Sequence, residues 1–322
     1  MRTLITGVTG FVGPHLAREL HRTGPENELW GLTWGRFDSE ALAAAAPGIR
    51  LLDGDIVESA FIESALDEAR PEVIYHLAAA SSVARSWDNA ARFLEINAMA
   101  TARLFDTALH LDLEPVIVIS STAEIYGRVV SGTAPLTEAT PLAPVSPYGT
   151  SKAAQDLLAA QYNAGRGLDT VRLRFFHLTG PGRPHHFVAS SFARQIALIE
   201  LGRAPAVLRV GNLDSVRDFT DVRDAVRACR MAAHRRHGGE AFHVCSGQSV
   251  AISDIVDHLL ELSTADIAVE VDRERFRRAD IPWLVGDPAK IESATGWRPE
   301  IPLRQTLADL LDWWRHQLTV HR

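Results

Sequence analysis

A glycine-rich turn between a strand-like and a helix-like segment constrains this chain more than any other feature of its sequence. The turn reads GVTGFVG over residues 7–13; an apolar run at 2–6 precedes it, and HLARELHRTG, with helical spacing, follows it. Glycines let a backbone approach a pyrophosphate closely, and a helix N-terminus offers unpaired N–H groups to phosphates. Although the spacing is GxxGxxG rather than GxGxxG, we predict a dinucleotide site at this turn.

Strand-like and helical segments alternate over the first half of the chain, which is typical of an α/β protein. A continuous apolar run such as VIVI at 116–119 indicates a parallel strand that helices cover on both faces. The strand-like segments after the first are 29–33, 51–55, 72–80, 115–127 and 170–176. We therefore predict an α/β fold, a Rossmann-type doubly wound parallel sheet with a smaller C-terminal α/β substrate lobe.

The character of the sequence changes beyond Gly180, where glycine and proline become frequent and the strand-like segments become shorter. We place a dinucleotide-binding Rossmann domain at 1–176 and a mainly substrate-binding lobe at 177–322. Elements near 213–248 are expected to return to the first sheet. A chain of 322 residues with 46% hydrophobic content is able to bury a full core over both parts.

Composition and charge exclude several classes of partner. The net charge of -7 provides no basic field for nucleic acid, so we expect no nucleic-acid partner. The two cysteines, Cys229 and Cys245, lie in apolar patterns and support neither a disulfide framework nor a thiolate metal site. No apolar run reaches the length of a membrane span. These features predict a soluble, cytoplasmic protein with no membrane partner and no metal.

The segment after the second strand bears on the choice of cofactor. An acidic residue there would bind a ribose 2′-hydroxyl, but this chain has Thr33-Trp34-Gly35-Arg36. Arg36 is able to pair with a 2′-phosphate, which favours NADP over NAD, and the alternative is a surface arginine without a ligand. Asp55 is a candidate acceptor for an adenine amino group; its alternative role is that of a turn-forming aspartate.

A serine and a proline start the helix that carries the best catalytic candidates. Ser146 suits the N-cap and Pro147 the first helical position, so Tyr148 and Lys152 share one helix face. Beside an oxidised nicotinamide, Lys152 is able to stabilise a tyrosinate, so that Tyr148 moves a hydroxyl proton.

A Tyr/Lys pair at this spacing also occurs on ordinary helices, so its surroundings decide the interpretation. The apolar strand ends in Ser120-Ser121-Thr122, and open α/β sheets hold their ligands at the carboxyl ends of such strands. Glu124 follows two residues later. The catalytic candidates are therefore Thr122, Glu124, Tyr148 and Lys152.

Taken together, these motifs resemble the extended short-chain dehydrogenase/reductases over nearly the whole chain. The shared features are GxxGxxG, HLAAASSV at 76–83, Asn97, the SST strand end and YGTSK. Longer strings resemble the GDP-4-keto-6-deoxymannose reductases, with the GDP-mannose 4,6-dehydratases next: GPGRPHHFVASSFARQIA, RVGNLDSVRDFTDVRD, HVCSG, RRADIP and TGWRPEIPL. The resemblance implies an NAD(P)-dependent enzyme that acts on a nucleotide-diphosphate sugar, most closely a GDP-linked one.

The resemblance also implies roles for single residues. Those implied for the dinucleotide are Gly7, Gly10, Phe11, Val12, Gly13, Asp55, Ile56, Leu77 and Ala79. The threonine, tyrosine and lysine of the catalytic set would form the hydride-transfer centre. Arg217 would pair with the diphosphate of the sugar nucleotide, and Arg278 and Asp280 would close over its nucleoside.

One position departs from the resembled pattern. Relatives read FNHxGP where this chain has FHLTGP at 176–181, so His177 replaces an asparagine that approaches the substrate. His177 would bind phosphate as a cation, add an acid/base group or fill the loop; we include it among the substrate-binding candidates. His185 and His186 have no carboxylate or cysteine at ligand spacing, so we predict no metal site there.

Three reactions remain open for such a site. A 4-keto reductase needs only a hydride donor and the proton donor Tyr148, and our first choice is a GDP-4-keto-6-deoxyhexose reductase. A 4,6-dehydratase needs a further acid/base group for its elimination, and Glu124 fits that role. A 4-epimerase needs tightly held NAD and no such carboxylate. A cofactor sensor without turnover is a fourth possibility, which the intact catalytic set argues against.

The resembled family also implies a homodimer. The apolar faces of the helical segments 90–110 and 151–163 would pair across a two-fold axis as a four-helix bundle. Burial of the same faces within one chain is the alternative.

Overall fold

Seven parallel strands form the central sheet of the computed structural model, which describes residues 1–35, 39–129, 134–276 and 281–320. The strands are β1 (Arg2–Thr6), β2 (Glu28–Thr33), β3 (Arg50–Asp53), β4 (Val73–His76), β5 (Val116–Thr122), β6 (Thr170–Phe175), β7 (His177–Thr179), β8 (Val207–Val210), β9 (Val216–Arg217), β10 (Phe219–Asp221), β11 (Ala241–Val244), β12 (Val250–Ala251), β13 (Ala268–Val271) and β14 (Trp283–Leu284). The α-helices are α1 (Val12–Thr23), α2 (Ser39–Ala45), α3 (Ser59–Ala69), α4 (Val83–Ser86), α5 (Ala90–Leu94), α6 (Ala100–His110), α7 (Pro147–Arg166), α8 (Val188–Glu200), α9 (Val222–Ala232), α10 (Ile252–Glu261), α11 (Ala289–Thr295) and α12 (Leu303–Val320).

The sheet runs in the order β3-β2-β1-β4-β5-β6-β11, and every neighbouring pair is parallel. Its order reverses at β1, which has β2 on one side and β4 on the other. In a doubly wound sheet the carboxyl ends of the strands at this reversal border a crevice that holds ligands. The predicted Rossmann-type fold is confirmed.

Successive side chains of the central strands enter opposite cores, because strand residues alternate between the two faces of a sheet. On β1, Ile5 packs in one core with Leu16 of α1 and Val226 of α9. Leu4, its neighbour, packs in the other core with Leu66 of α3. Burial on both faces is the reason that these strands are continuously apolar in the sequence.

A second group of elements packs against this sheet from the C-terminal half of the chain. Helices α8, α10 and α12 enclose a third core, which includes Phe192, Ile255 and Leu311. Short sheets accompany it, with the pairs β7–β10 and β8–β13 and the triple β12-β9-β14. Strand β11 instead joins the large sheet beside β6. The domain boundary at 176 stays a prediction.

The helical segment predicted over 90–110 is helical but irregular. A π-helix at 95–99 joins α5 to α6, and its residue Asn97 donates to the Ala80 carbonyl and to the Ser151 hydroxyl. Helical periodicity gives no signal for such an insertion. Within the described ranges, none of the helices combines the length and apolarity that a bilayer crossing requires.

Candidate active site

The glycine turn joins β1 to α1 at the point where the sheet order reverses. Gly7 has a φ of +67°, and a Cβ there would lie 2.8 Å from the backbone of Ala78, beyond the end of β4. A Cβ on Gly13 would lie 2.2 Å from the carbonyl oxygen of Val8. On Gly10 it would meet only the Gly7 carbonyl, at 3.2 Å. Gly7 and Gly13 thus permit the close packing of the turn, and Gly10 leaves room for a phosphate beside the N-terminus of α1.

A cavity of about 270 Å³ lies above this turn and reaches the carboxyl end of β5. It brings together most of the residues that the sequence proposed for the dinucleotide and for catalysis. Those that line it are Gly7, Gly10, Phe11, Val12, Gly13, Leu77, Ala79, Thr122, Glu124, Tyr148, Lys152 and His177. One cavity therefore contains both the glycine turn and the hydroxyl groups suited to proton transfer.

The start of α7 places Tyr148 at this cavity. The Ser146 side chain caps the helix by accepting the N–H of Gly149 at 3.0 Å, and Pro147 occupies the first turn, as the sequence predicted. Burial raises the pKa of the Tyr148 phenol to about 12. A hydrogen bond with Thr122 and the positive charge of Arg183 oppose that rise, and the charge of Glu124 adds to it. Tyr148 is therefore protonated at neutral pH and suited to donate a proton.

Lys152 lies one turn further along α7 and is almost completely buried. Its Nζ donates to the backbone oxygen of Ser120 and to Oε1 of Gln155. Burial lowers the pKa of Lys152 to about 7, against the opposing charge of Asp156. Sequence reasoning missed Gln155, because a glutamine three residues after a lysine has no distinctive pattern.

Gln155 belongs to a buried chain of hydrogen bonds that continues through α6 to strands β4 and β1. Its Nε2 donates to Oγ1 of Thr101 at 2.8 Å, and that hydroxyl lies 2.9 Å from Nε2 of His76. Nδ1 of His76 lies 2.9 Å from the hydroxyl of Thr6 on β1. Because burial lowers the pKa of His76 to about 3, the ring stays neutral and acts as a fixed link between the two threonines.

Asp156, a buried residue of α7, connects this helix to β5 and β6. The carboxylate accepts two hydrogen bonds from Arg174, at 2.8 and 3.0 Å, and one from the Ser121 hydroxyl at 2.7 Å. Arg172 donates to it as well, at 3.1 Å. Burial alone would raise the pKa of Asp156, but Arg174 and its other partners hold that pKa below its usual value. The ion pair between Asp156 and Arg174 orients α7, the helix that carries Tyr148 and Lys152.

A second cavity, of about 540 Å³, adjoins the first and shares His177 and His186 with it. Arg217 on β9 lines the second cavity and is largely buried. The next residue, Asp218, accepts hydrogen bonds from the backbone N–H groups of Ser246 and Gly247, at 2.7 and 2.9 Å. This carboxylate fixes β9, and with it Arg217, against the segment that follows β11.

The chain matches a family model described as GDP-mannose 4,6 dehydratase over residues 4–310. The chain belongs to the GDP-mannose 4,6-dehydratase family. It is 30% identical to the GDP-6-deoxy-D-mannose reductase of Pseudomonas aeruginosa over 319 residues, which cover 98% of each protein. The predicted membership of the nucleotide-sugar branch of the extended short-chain dehydrogenase/reductases, a class of NAD(P)-dependent enzymes, is thereby confirmed.

Solved structures similar to this one include those of a reductase and of an epimerase. The NADPH complex of RMD from Pseudomonas aeruginosa superposes with a TM-score of 0.84 at 29% identity, covering 98% of this chain and 100% of that one. UDP-glucose 4-epimerase from Thermus thermophilus, in complex with NAD, superposes with a TM-score of 0.86 at 27% identity, covering 98% and 99%.

Some of the site residues that we proposed from the sequence lie away from the two cavities, and others lie outside the described residues. Asp55 accepts the N–H of Val57 at 3.1 Å and pairs with Arg92 at 3.1 Å, and Ile56 packs in a core. Neither residue lines either of the two cavities described above. Their role at an adenine stays a prediction. Outside the described residues lie Arg36, Arg278 and Asp280. In the described part, no cluster of His, Cys, Asp and Glu is suited to a metal ion.

Proposed function

We propose that this protein is an NADPH-dependent reductase of a GDP-linked 4-keto-6-deoxyhexose. The observation that carries the proposal is the single cavity in which the glycine turn faces Tyr148 and Thr122. The second cavity, with Arg217 in its wall, adjoins it and gives space for a nucleotide. Similarity to the Pseudomonas reductase, at 30% identity over 98% of both chains, supports this reaction.

The dinucleotide supplies a hydride when it is bound. Gly7, Gly10 and Gly13 would hold its pyrophosphate at the N-terminus of α1. Phe11, Val12, Leu77 and Ala79 would line its path, because all four border the same cavity. Arg36 is the proposed reason for a preference for NADP over NAD.

Reduction at C4 of the sugar needs one proton for the ketone oxygen. Tyr148 would donate it from its phenol, which burial keeps protonated at neutral pH. Thr122, which borders the same cavity and opposes the rise of that pKa, would hold the same ketone oxygen. Lys152 would attract the negative charge left on the tyrosine, and a solvent proton then restores the phenol.

The second cavity would bind the nucleoside and the diphosphate of the substrate. Arg217 supplies a buried guanidinium to that cavity. His177 borders both cavities, and its ring packs on that of Phe219 with 5.7 Å between centroids. This position between the cavities supports a contact of His177 with the sugar. Arg278 and Asp280 remain proposals for closing over the nucleoside.

A 4,6-dehydratase is the second candidate, because Glu124 borders the catalytic cavity and shifts the pKa of Tyr148. In that reaction the Glu124 carboxylate would accept the C5 proton and return one to the departing C6 hydroxyl. A 4-epimerase, which leaves the carboxylate without a part in the chemistry, is the third candidate.

We further propose that the protein acts as a cytoplasmic homodimer. Leu94 on α5, Met99 before α6 and Leu157 on α7 are exposed by 39%, 54% and 57%, although all three are large and apolar. Pairing of these helices across a two-fold axis would cover them in a four-helix bundle. Sedimentation of the purified protein gives a dimer under this proposal and a monomer otherwise.

Incubation of the purified protein with its candidate substrates tests the reaction. We expect GDP-4-keto-6-deoxymannose and NADPH to yield a GDP-6-deoxyhexose, and GDP-mannose to remain unchanged. Formation of the keto sugar from GDP-mannose would support the dehydratase instead. Thermal stabilisation by GDP, compared with UDP and dTDP at equal concentration, tests the nucleotide; a stronger effect of UDP or dTDP would contradict the GDP assignment.

A further inference from the structure

Gln155 is a buried residue of α7, three residues after Lys152, to which the proposed chemistry assigns no role. Its side-chain amide lies between Nζ of Lys152 and Oγ1 of Thr101, so one end of the amide meets a cation and the other a hydroxyl group. All three side chains are exposed by at most 1%. Because water does not reach them, each buried donor needs an acceptor inside the protein. The surrounding hydrogen bonds therefore decide which end of the amide faces the lysine.

The hydroxyl group of Thr101 fixes the orientation of the Gln155 amide. Its single proton is donated to the backbone oxygen of Asn97 at 2.8 Å. Oγ1 of Thr101 is therefore an acceptor toward its two other neighbours, Nε2 of Gln155 at 2.8 Å and Nε2 of His76 at 2.9 Å. An acceptor at Thr101 requires the NH2 group of the amide on that side. The amide oxygen, Oε1, is thereby turned toward Lys152.

The same reasoning determines the tautomer of His76. Because Thr101 accepts, Nε2 of the ring carries the proton, and Nδ1 accepts from the Thr6 hydroxyl at 2.9 Å. Oγ1 of Thr6 in turn accepts the backbone N–H of Ala78 at 3.1 Å. Ala78 is the middle residue of the segment 77–79, whose two ends line the catalytic cavity. Each hydrogen bond between this segment and the lysine thus has a defined donor and a defined acceptor.

Lys152 meets two neutral oxygen acceptors as a result. Its charged form has three N–H donors; one goes to the backbone oxygen of Ser120 and one to Oε1 of Gln155. Lys152 also lines the catalytic cavity, so the third donor is available to a ligand there. A neutral amine has one donor fewer and a lone pair that neither oxygen is able to bond. Both oxygens therefore favour the ammonium form.

The balance between the two forms of Lys152 is close at neutral pH, because burial lowers the pKa of this amine to about 7. The charged and titratable groups around it are Asp156 on the same helix, His76 from β4, and Tyr148 and Glu124 in the wall of the same cavity. Asp156 favours the ammonium but shares its charge with two arginines, and His76 is neutral. A hydrogen bond from one neutral oxygen is then sufficient to change which form predominates.

We propose that Gln155 is a positioning residue for the proton transfer: its Oε1, turned by Thr101, holds Nζ of Lys152 beside Ser120 and stabilises the ammonium form. This inference rests on the proposed function, in which the ammonium attracts the negative charge left on Tyr148. Gln155 does not line the catalytic cavity, so it acts on the reaction through Lys152.

The small number of lysines in the chain allows a direct test. There are only two, Lys152 and Lys290, so protein labelled with carbon-13 at the lysine Cε gives two NMR signals. Lys290 pairs with Glu240 at the surface, and the variant Lys290→Arg identifies its signal, which then serves as an internal reference. Titration of the ligand-free protein gives the pKa of Lys152 without any measurement of turnover.

Two substitutions of Gln155 should move the pKa of Lys152 in opposite directions. Gln155→Met keeps the length of the side chain but removes the acceptor, so we expect this pKa to fall by about one pH unit. Gln155→Glu keeps an acceptor and adds a negative charge, so the pKa should rise by about one pH unit. The matched control is Gln195→Met, because the Gln195 amide bonds to the backbone of Arg209 and lines neither cavity. It should leave the pKa of Lys152 unchanged.

The pH dependence of turnover provides a second measurement. Because the ammonium form is the active one, kcat for the keto sugar should decline above a pH that follows the pKa of Lys152. This decline should begin at lower pH in Gln155→Met and at higher pH in Gln155→Glu than in the wild type. KM should change by less than about threefold, since Gln155 contacts Lys152 and no ligand.

A pKa of Lys152 that is equal in the wild type, Gln155→Met and Gln155→Glu would overturn the proposal. A purely structural role of Gln155 would give that result, with a lower thermal midpoint in both variants. If Gln155→Met does not fold, Gln155→Glu alone decides, through the rise in pKa. A wild-type protein that does not reduce the keto sugar would overturn the proposed function, while the NMR titration would still test the contact between Gln155 and Lys152.

Discussion

At the scale of single residues, sequence reasoning found the groups with a recognised spacing and missed those defined only by the fold. Tyr148, Lys152 and Thr122 were predicted from a helix start and a strand end, and they border one cavity. Gln155 and Arg183 were not selected as site residues. Gln155 holds Lys152 through a contact within α7. Arg183 reaches the cavity from the loop between β7 and α8, more than thirty residues after Lys152. Neither position carries a local pattern.

Tyr148→Phe removes the proposed proton donor and keeps the ring. We expect turnover to fall by about a hundredfold to ten-thousandfold, which is the usual contribution of a general acid. NADPH affinity should change little, because the phenol oxygen is the only group removed. Tyr162→Phe serves as the control, since the Tyr162 hydroxyl donates to Asp106 at the surface. Steady-state kinetics check both variants, and unchanged turnover of Tyr148→Phe would disprove its role.

Glu124→Gln separates the reductase from the dehydratase. Under the reductase proposal the Glu124 carboxylate moves no proton, so we expect reduction of the keto sugar to change by less than about threefold, far below the loss of an acid/base group. If the protein is a dehydratase, the same change should abolish solvent-deuterium exchange at C5 of the sugar. Exchange is followed by NMR, and a hundredfold loss of keto-sugar reduction would contradict our interpretation.

At the scale of elements, the register of α7 against the sheet determines where the catalytic groups stand. The sequence predicted the start of α7 through Ser146 and Pro147, and the structure agrees. It could not predict that Asp156 joins this helix to two arginines of β6, because helix and strand meet only in the folded chain. The π-helix before α6 was missed for a similar reason, since Asn97 bonds to partners far along the sequence.

Asp156→Asn tests this connection. The change removes the charge that Arg172 and Arg174 share and leaves both guanidinium groups without a counter-ion in the core. Breaking a buried pair in this way costs about 3–5 kcal/mol of the free energy of unfolding. Asp106→Asn, at the surface on α6, should cost less than about 1 kcal/mol. Urea unfolding measures both, and equal losses for the two variants would contradict the assignment.

At the scale of the whole molecule, the doubly wound parallel sheet followed from the sequence because strand-like and helical segments alternate along it. The second cavity did not follow from it. Its wall combines α4, β9 and the start of α10, and short strands of two or three residues leave no periodic signal. The residues that close this cavity come from five separate stretches of chain, 83–88, 177–192, 211–217, 252 and 274–276, which local patterns cannot bring together.

The buried histidine at the end of β4, His76, predicts how stability depends on pH. Burial holds the pKa of His76 at about 3, while in the unfolded chain it is near 6.5. The unfolded state therefore binds a proton that the folded state does not, so the free energy of unfolding falls as the pH drops from about 6.5 toward 3. Between pH 7 and pH 5 this one group lowers it by about 2 kcal/mol.

His76→Gln tests that dependence. The variant lacks the titrating group, so between pH 7 and pH 5 it should lose about 2 kcal/mol less than the wild type, whatever its stability at pH 7. His110→Gln, at the exposed end of α6, should follow the wild type. Urea unfolding at the two pH values gives the differences, and equal losses for His76→Gln and the wild type would show that His76 is not held neutral.

The transfer of deuterium from NADPH to the sugar tests the central claim most directly. The protein is incubated with GDP-4-keto-6-deoxymannose and NADPH that carries deuterium at both C4 positions of the nicotinamide. The account predicts one deuterium at C4 of the sugar in each product molecule, with one NADPH consumed. A sugar product without deuterium at C4, formed without consumption of NADPH, would contradict it.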